Sequence, residues 1–353
     1  MKRLFLFFAI ALLALPVYAQ DDDSGEDSTL TVITYDSFVI EDDVREAFEE
    51  QSGLTLEIVR LNNAGAMVNQ AILTRDNPLG DVLYGVDNTF LTRALEADLF
   101  VPYESPGLDA IPAQFQLDAE EDRVTPVTFG DVCLNYDVVY FEDNELEVPQ
   151  DLMALTEPDY AGLLVVQNPA TSSPGLAFLL TTIAVFGEEG EYTYLDYWRD
   201  LVENDVLVVS GWTEAYYGEF TVGSEEGQYP LVVSYASSPP AEVLFGELEI
   251  EDAPSAAIVA DETCFRQIEF AGILAGTERE AEARLFIDFL IGETFQEALP
   301  TSMFVFPVNE NAELPDLFAE MITIPENPVT VAIEDIETNR EDWIEAWTEA
   351  VLR

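Results

Sequence analysis

The chain has 353 residues, is 48% hydrophobic and 11% aromatic, and carries 70 acidic against 13 basic residues, a formal charge of −57. Its length and apolar content suit two packed domains, and charge of this sign excludes attraction to nucleic acid or anionic lipid. Histidine is absent, which excludes histidine acid–base catalysis, a Ser-His-Asp triad and the usual zinc sites.

Residues 1–19 read as a cleavable export signal. Lys2 and Arg3 form the charged start, 4–15 the apolar core, and Val17-Tyr18-Ala19 the small-residue cleavage site. The core is too short to span a bilayer. No other stretch is long and apolar enough, so a soluble protein, periplasmic or extracellular, is expected. Loss of Lys2 and Arg3 takes the charge from −57 to −59 and leaves no lysine. Most of the acids read as solvated surface. Residues 20–28 read as a flexible acidic tether.

A strand is expected at 29–35, where apolar and polar residues alternate. A helix follows from Asp42 or Asp43 and ends at Gly53. Strand 54–61, helix 66–74 and strand 81–86 complete a βαβαβ start, hence a parallel sheet in an α/β domain. Residues 124–136 read as extended, and 151–156 as the start of new helical material. Strands at 163–166, 206–209 and 231–234 belong to a second α/β lobe. A helix at 278–290 is expected to turn Ala281, Leu285, Phe286 and Phe289 inward. A tail helix at 333–351 carries Trp343 and Trp347.

Two long extended runs, 124–136 and 264–275, are placed to cross between lobes. The expected architecture is therefore two α/β lobes joined by a hinge with two crossover strands. Lobe 1 is assigned 29–127 and 268–305, and lobe 2 is assigned 128–267 and 306–353. Each run holds one of the two cysteines, Cys133 and Cys264. In an exported chain a disulfide stapling neighbouring strands is one reading; two buried free thiols is the other.

The run Asn168-Pro-Ala-Thr-Ser-Ser-Pro-Gly175 lies between an apolar strand at 163–166 and an apolar helix at 176–185. Pro174 suits the first helical turn. Such a helix start offers free backbone N–H groups, hydroxyls and a positive dipole end, a seat for a phosphate or other anion. Its ordinary alternative is a serine N-cap.

Further polar-aromatic segments fall at strand ends: Thr34-Tyr-Asp-Ser-Phe38, Leu61-Asn-Asn-Ala-Gly65, Gly211-Trp-Thr-Glu-Ala-Tyr216 and Ser234-Tyr-Ala-Ser-Ser-Pro239. Strand ends are where open α/β sheets bind ligands. Another, Pro300-Thr-Ser-Met-Phe-Val-Phe-Pro307, follows the long helix near the C-terminus. Tyr35, Tyr216 and Tyr217 also read as core or rim aromatics, Asp36 as either a loop cap or a ligand contact, and Asp87-Asn88 as a turn in preference to a piece of the cleft lining.

Together these segments resemble the substrate-binding proteins of bacterial thiamine ABC transporters, within the type II periplasmic binding proteins. The resemblance covers nearly the whole chain after the signal. Gly-Trp-Thr-Glu-Ala-Tyr, Ser-Tyr-Ala-Ser-Ser-Pro and Thr-Tyr-Asp-Ser-Phe carry it. It implies a type II periplasmic-binding-protein fold and a ligand of thiamine type held between lobes. It also implies delivery to ABC permease subunits by a monomer that is not an enzyme and uses no cofactor.

By resemblance, Tyr35, Trp212 and Tyr235 flank the thiazolium and pyrimidine rings. Asn63 and Ala64 supply the turn after the second strand, and Ser172 and Ser173 stand near any phosphate. Tyr235, Ala236, Ser237, Ser238 and Pro239 form one loop of the site. Phe304 stands where relatives can carry a tryptophan. Asn63 replaces a familiar carboxylate, and Ala241 replaces an aromatic after the Ser-Pro pair. A polyamine or ferric ion is the alternative ligand for such a fold, and an exported enzyme is the alternative class. No nucleophile elbow, metal-ligand spacing or glycine-rich phosphate loop supports an enzyme.

Overall fold

The computed structural model describes residues 28–260 and 262–353. The segment read as an export signal and residues 20–27 of the tether lie outside them. Eleven strands are described: β1 (Thr29–Thr34), β2 (Thr55–Arg60), β3 (Val82–Asp87), β4 (Phe100–Val101), β5 (Thr125–Asp137), β6 (Leu164–Gln167), β7 (Leu207–Val209), β8 (Leu231–Tyr235), β9 (Ser255–Ile258), β10 (Phe265–Leu274) and β11 (Phe306–Pro307).

They form one sheet in the order β2-β1-β3-β10-β5-β8-β6-β7. Strands β2, β1 and β3 are mutually parallel, as are β8, β6 and β7. The expected βαβαβ start is present, with helices Asp42–Ser52 and Ala64–Leu73 between its strands. Between the two parallel blocks run β10 and β5, antiparallel to each other and to their outer neighbours. Thr125–Val132 of β5 is in register with β10, and Val132–Tyr136 with β8. One strand therefore passes from the first block to the second, as its unbroken extended sequence predicts. The short strands β9 and β11 attach to β5, and β4 to β10.

Each block has its own aromatic packing. Phe48 of the first helix meets Phe286 and Phe289 at ring separations of 5.1 and 5.3 Å. In the second block, Trp198 stands edge-on to Phe178 and to Trp347 of the tail helix Ile333–Val351. Helix Ser173–Phe186 is buried from its start through Ile183, which is why its sequence is apolar without helical alternation. The helix expected at 278–290 spans Glu280–Leu290 and buries Ala283, Phe286, Ile287, Phe289 and Leu290. Ala281 and Leu285, expected inward, are exposed; Ala283, Ile287 and Leu290 complete the buried stripe instead. Helix Tyr194–Glu203 begins with a reciprocal capping box between Thr193 and Asp196.

The two long strands are tied to each other twice. Cys133 and Cys264 form a disulfide with a Cα–Cα distance of 4.3 Å, so the stapled reading of the cysteines holds. Beside it, Arg266 and Asp131 are register partners. The guanidinium donates through Nε (2.6 Å) and one terminal nitrogen (3.0 Å) to both oxygens of the nearly inaccessible carboxylate. Burial pushes the Asp131 carboxyl up, against the pull of Arg266. Among the described residues, no helix is long and apolar enough to cross a membrane.

Candidate ligand cleft

The C-terminal ends of the parallel strands converge on a cleft of about 430 Å³. Tyr35 follows β1, Asn63 and Ala64 follow β2, Ser172 and Ser173 follow β6, Trp212 follows β7, and Tyr235 ends β8. All of these line it, as do Ser238 and Phe304. Six separated segments are thus brought together by the topology alone.

The aromatic walls are fixed by their own contacts. Trp212 stacks on Tyr216, with centroids 5.0 Å apart and planes 20° from parallel. Its indole N–H donates to Ser234 Oγ at 2.8 Å. The Tyr35 ring lies over Gly85, where φ is +98° and any Cβ would collide with the ring; glycine is required there on both counts. Tyr235 donates to Gln267 Oε1 at 3.3 Å. Burial holds both phenols well above the ordinary tyrosine value, with Glu269 adding to the effect, so both hydroxyls remain donors at neutral pH.

The two parallel blocks touch across the cleft. Asn63 precedes helix Ala64–Leu73 but makes no side-chain cap; its amide donates instead to Ser210 O at 2.9 Å. Gly65 N–H donates to Thr171 O at 3.0 Å. A Cβ on Gly65 would sit 2.8 Å from the Phe90 ring and 2.9 Å from the Thr171 carbonyl, so this approach needs glycine. Helix Ser173–Phe186 has Pro174 in its first turn, as expected. Ser172 is 1% exposed, and its Oγ, like Asn63 Oδ1 and Thr213 Oγ1 on the same cleft, has no protein partner. Buried polar atoms of this kind call for a ligand or water.

Three residues of the expected site do not line the cleft. Ala236 packs against the disulfide, and its N–H donates to Asp131 O at 2.8 Å. Ser237 Oγ donates to Phe304 O at 2.6 Å, bracing the left-handed backbone of Phe304, φ +53°. Pro239 starts the helix Pro239–Gly246. The alternation of side chains around the Tyr235–Pro239 turn leaves only Tyr235 and Ser238 on the cleft side.

Residues 77–321 match the family described as bacterial extracellular solute-binding protein. The chain is 30% identical to the thiamine-binding periplasmic protein of Escherichia coli strain K12 over 98% of each chain. The chain belongs to this solute-binding family. It is also 29% identical to the thiamine-binding periplasmic protein of Brucella suis, over 99% of this chain and 98% of that one. Among solved structures, a periplasmic thiamin binding protein superposes with a TM-score of 0.80 at 30% identity, covering 92% of this chain and 96% of that one. A fructose-6-phosphate-bound periplasmic binding protein from Actinobacillus pleuropneumoniae has a TM-score of 0.75 at 21% identity, covering 92% and 98%, and shares the fold. The type II periplasmic-binding-protein architecture follows, as does a location outside the cytoplasm.

Sequence reading passed over two residues that line the solute-binding cleft, Glu269 and Arg60. Glu269, in the middle of β10, lines it at 7% exposure. Asp87 closes β3, fully buried, and is no simple turn residue: it accepts from Thr89 and, across the blocks, from Ser173 Oγ. Ser173 is therefore already engaged, and Ser172 is the free hydroxyl of the pair. Arg60, at the end of β2, also lines the cleft, with Nε on Phe38 O at 2.9 Å. Tyr216, read as core or rim, is buried; its hydroxyl donates to Glu242. Tyr217 is half-exposed at the rim.

Proposed function

We propose that this solute-binding protein captures thiamine, and its phosphate esters, in the cleft and delivers them to the permease of an ABC importer. The observation that carries the reading is the convergence of Tyr35, Trp212 and Tyr235. The resemblance assigns these three to the ligand rings, and they come from three different strand ends to line one cleft. A permanent organic cation favours aromatic faces, each worth about 0.5–2 kcal/mol. The full-length similarity to thiamine-binding proteins supports the ligand class.

In this reading the lobes are 29–127 with 268–305 and 128–267 with 306–353. They close by bending β5 and β10 near the disulfide. The contacts Asn63–Ser210, Gly65–Thr171 and Asp87–Ser173 are then made on closure. A phosphate ester is received by Ser172 and the start of its helix, with Arg60 at the opposite rim. The protein acts as a monomer and performs no chemistry on its ligand. Calorimetry on ligand-stripped protein tests this with thiamine, thiamine monophosphate and spermidine. Tight, saturable binding of the first two is expected; correctly folded protein that ignores thiamine overturns the assignment.

A further inference from the structure

Among the described residues, Glu269 is the one acid of the two crossover strands that lines the cleft. It lies on a crossover strand between the two parallel blocks and faces the cleft they share. Its carboxylate accepts from Thr128 Oγ1 on the other crossover strand at 2.9 Å and from the Tyr35 hydroxyl at 3.3 Å. Both bonds go to Oε2, which leaves Oε1 without a protein donor. Among the described residues, no arginine forms an ion pair with it. The titratable groups that face it are Tyr35, Tyr84 and Tyr235, all neutral, and Asp87, which carries the same sign. Arg60 and Asp36 line the same cleft without bonding to it.

A carboxylate buried without a countercharge is costly, and a sheet strand facing a cavity could hold any neutral residue here. We infer that Glu269 is the specificity-determining group of the cleft: its carboxylate supplies the negative charge that selects a positively charged solute. The aromatic walls accept a flat ring of any charge, whereas the ionised Glu269 repels an anionic ring and gains nothing from a neutral one, so only a cation is drawn to it. It also reports occupancy to both crossover strands, through Thr128 on β5 and its own place on β10. Burial, aided by Asp87, pushes its carboxyl up to about 7, with the Thr128 and Tyr35 bonds opposing the shift. A cation beside it draws that value back down, so capture near neutral pH releases a proton.

The inference rests on the cleft being a site for a cationic solute, and the experiment separates the two. Binding of thiamine, and in parallel of choline and spermidine, is measured by calorimetry from pH 5.5 to 8 on wild type, Glu269→Gln and Glu269→Asp. Wild-type affinity for the bound cation is expected to rise about tenfold or more from pH 5.5 to 8, with a proton released on binding. E269Q should bind at least tenfold more weakly at pH 8 and lose the pH dependence, and E269D should restore part of both. An E269Q protein with unchanged affinity overturns the inference. So does a loss of equal size at every pH, the mark of a merely structural role. Failure of thiamine alone, with another cation bound in a Glu269-dependent way, refutes the proposed ligand and keeps the selector. A wild type that binds no cation refutes both.

Discussion

Trp212 and Tyr216 lie face to face, their ring centroids 5.0 Å apart and their planes 20° from parallel. With its N–H on Ser234, the indole is held at one face and one edge, so its ordering cost is met by the fold rather than by the ligand. Trp212→Ala should then cost about 1–3 kcal/mol, ten- to a hundredfold in thiamine affinity. Trp212→Phe keeps a stacking ring without the N–H and should lose less. Calorimetry ranks the three proteins, and equal affinities would reject Trp212 as a ligand wall.

The two serines at the start of helix Ser173–Phe186 should behave differently. Ser172 Oγ is buried without a partner, so Ser172→Ala should weaken thiamine monophosphate by about 0.5–1.5 kcal/mol while sparing thiamine. Ser173→Ala removes a donor from the buried Asp87 carboxylate and should weaken both ligands alike by loosening closure. Titration of each variant with each ester decides; matching profiles for the two variants would remove the distinction.

Glu269 also marks the pH dependence of folding. Its carboxyl stands at about 7 in the folded chain, against an ordinary 4.5. Below the ordinary value both states hold the proton. Between 4.5 and 7 the unfolded chain has lost it and the folded chain has not, so stability of the ligand-free protein falls as pH rises through that window. Glu269→Gln removes this titration and should stabilise the ligand-free protein at pH 8 by about 2–3 kcal/mol relative to its effect at pH 4.5. Thermal melts at the two pH values test it; identical shifts in melting temperature contradict it.

The ion pair between the crossover strands should be costly to break singly. Arg266→Met strands the Asp131 carboxylate at 1% exposure and should destabilise the protein by about 3–5 kcal/mol. Adding Asp131→Asn should recover part of that loss. Denaturant melts of the single and double variants measure it, and a double variant no better than the single would show that the charge is not the cause.

The parallel blocks were legible because a strand–helix–strand rhythm is written in hydrophobic periodicity, and the crossover strands because 13 and 10 consecutive residues stay extended. Tyr35, Trp212 and Tyr235 were legible because large aromatics sit at strand ends outside any periodic run. Glu269 was not, since an acid within an apolar strand gives no sign of which face it takes until β3 and β5 are paired on either side of it. Asp87 read as a turn because its partner, Ser173, is 86 residues away. Ala236, Ser237 and Pro239 stand off the cleft because a turn distributes its side chains, a matter of backbone geometry invisible in a motif. Helix Pro239–Gly246 and strand β9 carry too short a pattern to be read at all.

The disulfide between Cys133 and Cys264 has a consequence for proteolysis. It joins positions 131 apart in sequence, and the span between them includes β6, β7 and β8 together with Ser172, Trp212 and Tyr235. A protease that nicks any one loop inside that span leaves both fragments covalently attached at the pivot. The cut ends can then stay seated in the one sheet they share. In a compartment exposed to proteases, a singly clipped molecule need not shed its second block, and would migrate as intact until it is reduced.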